Sequence, residues 1–119
     1  RRLQNRSQVQ ELKINEMMVQ NELDKTRIEL NQKFNITKSR YENFKKRFET
    51  ATTLYQLAEE NMKLVQNQVD VGTATMVDFL LAQNNMERAL NSLTQTKYQY
   101  IHQEKLLTFY TTGKFDFGE

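Results

Sequence analysis

A chain of 119 residues has length for one domain, and with 38% hydrophobic residues, 27% charged residues and no proline it reads as soluble and all-helical. Seventeen basic and fifteen acidic residues alternate to a net charge of +2, apart from short clusters at Arg1-Arg2 and Lys45-Lys46-Arg47, so no basic stripe for nucleic acid is present. Cysteine is absent, which excludes a disulfide framework and a thiolate metal site, and no apolar run approaches the roughly 20 residues that a membrane-spanning helix needs.

The chain opens at Arg1 with no methionine and no secretory signal, which reads as a segment of something longer. The first predicted element is a helix over about residues 5–70, roughly 100 Å long at about 1.5 Å per residue. Its periodicity is clearest from Tyr41, where Tyr41, Phe44, Phe48, Ala51, Tyr55, Ala58, Met62, Val65 and Val69 recur with 3-4 spacing through four heptads. Upstream, Leu12, Val19, Leu23, Leu30 and Phe34 keep a helical face that drifts. The eleven asparagines and twelve glutamines leave much of any helix surface neutral and polar, which suits a wet wall better than a dry core.

The helix breaks in the stretch VDVGTATMVD, which holds the only glycine of the first 112 residues. Gly72 fits the position just after a helix, where a left-handed conformation satisfies the last carbonyls. Thr75-Met76-Val77-Asp78 matches a capping box with aspartate in place of glutamate, and Thr73 is the competing cap. The tip therefore occupies about residues 71–75.

A second helix follows over about residues 76–111, roughly 50 Å long. Its seam is Phe79, Ala82, Met86, Ala89, Leu93, Thr96, Tyr100, Gln103, Leu107 and Tyr110. Two helices joined by so short a link run antiparallel, giving one hairpin domain over residues 1–112 and an exit segment over residues 113–119. About half of the longer arm then has no partner within the chain.

A further set of apolar residues lies off this seam. Leu54, Leu57 and Leu64 fall at heptad positions g and c with Tyr55 as a, and Leu81, Leu106 and Phe109 fall in the same classes with Phe79 as a. A helix with an a/d seam and a c/g seam needs a neighbour on each. Such helices pack side by side into a curved wall that closes as a cylinder. Heptads with extra leucines also occur in ordinary bundles and coiled coils, so closure into a barrel is a hypothesis at this level.

No catalytic constellation emerges, and the expectation is a non-enzyme with no cofactor and no metal. His102 is a sole histidine on a helix, without converging ligands or a positioned partner. Glu11, Glu16, Glu59 and Glu60 sit on ridges rather than in a cleft, and the methionines read as packing residues. Asn35-Ile36-Thr37 matches a glycosylation triplet, but in mid-helix. Tyr41, Phe44 and Phe48 lie among basic residues, yet their heptad register assigns them to packing rather than base stacking.

The run VGTATMVDFLLAQNNMERALNSLTQTKYQYIHQEKLLTFYTTGK resembles the second helical hairpin of TolC-type outer-membrane efflux channels. The features that carry the likeness are Val71-Gly72-Thr73 at the tip, Val77-Asp78, Ala82, Tyr98 with Tyr100, Leu106 with Leu107, and Gly113 at the helix end. The opening Arg1-Arg2-Leu3-Gln4-Asn5-Arg6 resembles the segment that follows a membrane strand, so the resemblance covers nearly the whole chain.

The resemblance implies an all-α fragment of a homotrimeric, twelve-helix α-barrel in the periplasm, whose β-barrel strands in the outer membrane lie outside this chain. It implies export of small molecules or proteins through the tunnel. A periplasmic adaptor (membrane fusion protein) would dock on the tip and link the channel indirectly to an inner-membrane transporter. Val71, Gly72 and Thr73 match the adaptor-binding tip, and Asp78 matches an acidic position at the tunnel entrance of some members, a role compatible with helix capping. Leu81, Ala74 and Val69 depart from the pattern: they stand where a second aspartate, an arginine and a tyrosine occur in members that close by a polar lock. The alternative is a coiled-coil interaction module, either the hairpin of a periplasmic adaptor or an intracellular scaffold.

Overall fold

The structure is a computed structural model that describes residues 1–113, and the described residues form two α-helices and no strand. Helix α1 spans Arg2–Asp70 and helix α2 spans Met76–Thr112. The first helix starts a turn earlier than its periodicity suggested, and the second ends one residue later. Of the exit segment expected over 113–119, residues 114–119 lie outside the described residues.

Packing divides the 1–112 hairpin of the sequence reading into two compact units, Arg1–Ile36 and a second that begins at Thr37. In the first unit Phe34 alone is half-buried, and every other residue is exposed. Its drifting face has a simple cause. Val9, Leu12, Val19, Leu23, Thr26 and Leu30 sit on one 3-4 lattice, and the steps from Thr26 to Leu30 and from Leu30 to Phe34 are both four residues. That insertion is a stutter, which rotates the apolar stripe around the helix.

The second unit is the hairpin proper. Every predicted seam position over residues 41–69 and 79–110 is buried or half-buried, and most of the residues between them are exposed. Ala51 and Ala82 are the most enclosed, at 4% and 3% exposure. These small side chains let the two backbones come close, as aromatic layers do not. The aromatic layer is built from Tyr41, Phe48 and Tyr100: the Tyr100 ring lies 5.5 Å from Tyr41 and 5.6 Å from Phe48. These tilted and offset geometries are the ones aromatic quadrupoles favour.

Two polar residues interrupt the apolar seam, with different outcomes. Thr96 turns its hydroxyl back to donate to the Ser92 and Leu93 carbonyls at 2.8 and 3.0 Å, so its polarity is satisfied within its own helix. Gln103 buries its Oε1 with no hydrogen-bond partner. A buried acceptor left without a donor is destabilising by about 1–3 kcal/mol. The seam also extends one step beyond its predicted start, to Thr37, which is buried four residues before Tyr41.

Candidate functional site

Helix α1 ends in a Schellman motif centred on Gly72, whose φ of 82° lies in the left-handed region. The Gly72 N–H donates to the Val69 carbonyl at 3.1 Å and the Thr73 N–H to the Gln68 carbonyl at 2.8 Å. The Ala74 N–H, at 3.1 Å, and the Thr73 hydroxyl, also at 3.1 Å, reach the same Gln68 carbonyl. Thr73 therefore closes the outgoing helix rather than capping the returning one. A Cβ on Gly72 would meet nothing within 4 Å, so glycine is required by backbone conformation and not by space.

The returning helix is capped by Thr75. Its hydroxyl accepts from the Asp78 N–H at 3.2 Å, while the Asp78 carboxylate accepts from the Thr75 N–H at 2.9 Å, completing a capping box. The Thr75 hydroxyl donates to the same carboxylate oxygen at 2.9 Å. These bonds from the Thr75 backbone and side chain hold the Asp78 carboxyl below its ordinary range despite its exposure.

Between the two caps, five residues make a turn whose backbone is tied down while its side chains project. Val71 is 74% exposed at the apex, and Gly72 and Thr73 beside it are exposed. A shallow groove of about 360 Å³ runs from this turn along the hairpin, lined by Asn61, Gln68, Thr73, Asp78, Leu81 and Asn85 among others. Of the three departures, Val69 and Ala74 are half-buried, Val69 being the last a position of the seam, and only Leu81 is exposed.

The second feature is the off-seam apolar row. Leu54, Leu57, Leu64 and Leu81 remain 55, 54, 56 and 58% exposed, while Leu106 and Phe109 are half-buried. Periodicity predicted a c/g face, and the hairpin leaves most of that face in water. His102 is exposed, and no cluster of three or more His, Asp or Glu side chains suited to a metal ion occurs among the described residues. No described helix is long and apolar enough to cross a membrane.

Compared with family models, with curated proteins and with solved structures, the chain has no significant match in any of the three.

Proposed function

We propose that this hairpin is a wall segment of a trimeric outer-membrane efflux channel, with its tip docked on a periplasmic adaptor. The observation that carries the reading is the exposed row of Leu54, Leu57, Leu64 and Leu81 beside a seam that the hairpin satisfies by itself. Burying a leucine is worth about 1.5–3 kcal/mol, so four of them favour association strongly, and the c/g placement calls for helical neighbours. The tip supports the docking role. Two capping systems fix the backbone of residues 71–75, and Val71 is held outward as a small apolar contact.

On this reading the chain performs no chemistry. Small molecules or proteins pass along a water-filled tunnel, and an inner-membrane transporter coupled through the adaptor supplies the energy. A photo-crosslinking residue placed at Val71 in the full-length protein tests the docking role. A covalent product with the co-expressed adaptor is expected from Val71, and none from the same residue at Glu60, far from the tip. Efflux-competent cells that give no tip product would count against the assignment.

A further inference from the structure

The hairpin is chemically two-sided, and the sides do not divide along the seam that joins its helices. In an antiparallel pair the g positions of both helices fall on one side, and the structure shows this directly. Arg47 and Leu54 line one groove of about 380 Å³ with Ser92 of the other helix. Asn61 and Gln68 line the groove near the tip with Asp78 and Asn85. All seven are g positions in their own registers.

Charge follows the same division. Of the fifteen charged residues over 41–112, only Arg47, Asp78 and Arg88 occupy c or g; the other twelve occupy b, e or f. Two of the three are engaged locally. The Arg47 guanidinium lies 5.4 Å from the centre of the Phe44 ring, and the Asp78 carboxylate is taken up in the capping box. One side of the hairpin is therefore mostly amide, hydroxyl and leucine with three charged residues, Lys46 reaching the edge of its groove, and the other carries the remaining charges.

Geometry says which side is concave. At about 100° per residue the centres of an a/d seam and a c/g seam stand about 110° apart on the helix surface. Neighbours packed on both seams are thus displaced toward g, and because g points the same way in both helices, a wall built from such hairpins curves toward g. We infer that the side bearing Asn61, Asn85 and Ser92 is the concave, water-filled face along which exported solutes move, and that the charged b/e/f side faces outward. The inference rests on the channel reading and goes beyond it by fixing the orientation of the hairpin. A path lined mainly by amides and hydroxyls, with few charges, offers many hydrogen bonds and few electrostatic traps. That suits passage of chemically varied solutes better than selection among them.

Single-channel conductance of the full-length protein in planar bilayers tests this, using single cysteines in a background free of other cysteines. The positions are Asn85 and Ser92 on the g side, and Asn84 and Thr94 on the f and b side, all exposed in the isolated hairpin. A bulky cationic methanethiosulfonate is expected to lower unitary conductance in N85C and S92C and to leave N84C and T94C unchanged, with mass spectrometry establishing that the thiols have reacted. Conductance loss confined to N84C and T94C, or no loss in labelled N85C and S92C, overturns the orientation while leaving the channel reading in place. Unmodified protein that forms no conducting pore overturns the channel reading and this inference together.

Discussion

The Tyr41 and Tyr100 hydroxyls lie 3.3 Å apart, joining residues 59 positions apart in the chain across the middle of the hairpin. This contact ties the register of α2 to that of α1, because a slip of one heptad separates the two hydroxyls by about 10 Å at 1.5 Å per residue. Replacing either tyrosine by phenylalanine should destabilise the hairpin by about 1 kcal/mol. The Tyr41→Phe, Tyr100→Phe double variant should lose less than the sum, since the partner left unpaired in each single variant is also gone. Thermal melts of the four proteins measure this directly.

The same contact makes a pH signature. The hydrogen bond with Tyr41, reinforced by burial and by the negative charges of Glu104 and Glu49, pushes the Tyr100 hydroxyl from 10.0 up to about 12. Folding favours the protonated phenol, so this stabilisation is complete below the ordinary tyrosine range and is lost as pH rises through about 12. Ultraviolet titration should show a late phenolate step that moves toward 10 in the Tyr41→Phe variant. No change on removing Tyr41 would contradict the assignment.

At the tip, Thr75→Ala should destabilise the start of α2 by about 1 kcal/mol, and Thr73→Ala should leave it intact because Thr73 serves the other helix. The Asp78 carboxyl carries the complementary pH dependence. Its range lies below the ordinary 3.8 because the folded state binds the ionised form. The cap is therefore fully formed above that value and weakens as pH falls below it. Hydrogen exchange at the Asp78 and Phe79 amides, followed from neutral to acid pH, reads this out, and Asp78→Asn should remove the dependence.

Gly72 separates conformation from contact. With open space around the position of a Cβ, any loss on substitution comes from the positive φ alone. On the proposed channel reading, Gly72→Asn, which tolerates the left-handed region, should keep both helix content and adaptor binding. Gly72→Val should keep helix content but weaken adaptor binding and efflux, since a β-branched residue resists that backbone by about 1–2 kcal/mol or more. Circular dichroism with an adaptor pull-down and drug-susceptibility measurements would show it, and equal behaviour of the two variants would refute the role given to the turn.

Gln103→Leu should stabilise the hairpin by about 1 kcal/mol, because it removes a buried acceptor that has no donor and restores an apolar d position. A lower melting temperature would mean that the amide has a structural role that its surroundings do not reveal.

Much of this structure was legible in the residues because heptad packing is a local code. The 3-4 spacing from Tyr41 to Val69 and from Phe79 to Tyr110 specified the buried stripe residue by residue, and one glycine followed by T-x-x-D specified the turn. Thr37 is not legible as a seam residue because a threonine carries no apolar signal, although it is buried and falls four residues before Tyr41 on the same lattice. The stutter at Leu30 and Phe34 reads as fading periodicity, since a four-residue insertion preserves spacing on each side but rotates the face. The choice between Thr73 and Thr75 as cap depended on how many residues the Schellman turn consumes, which the sequence leaves open. The two-sided distribution of charge was present in the sequence throughout, but it acquires meaning only once both g rows are seen to line the same grooves.

The central claim is that neighbouring hairpins cover the leucines that this hairpin leaves in water, and native mass spectrometry of the detergent-solubilised full-length protein tests it most directly. The wild type should appear as three copies. Leu57→Asp with Leu64→Asp should release single copies of undiminished helix content, because both side chains are exposed in the hairpin itself. A wild-type protein that is a monomer or a simple dimer, or a double variant that remains trimeric, would contradict it.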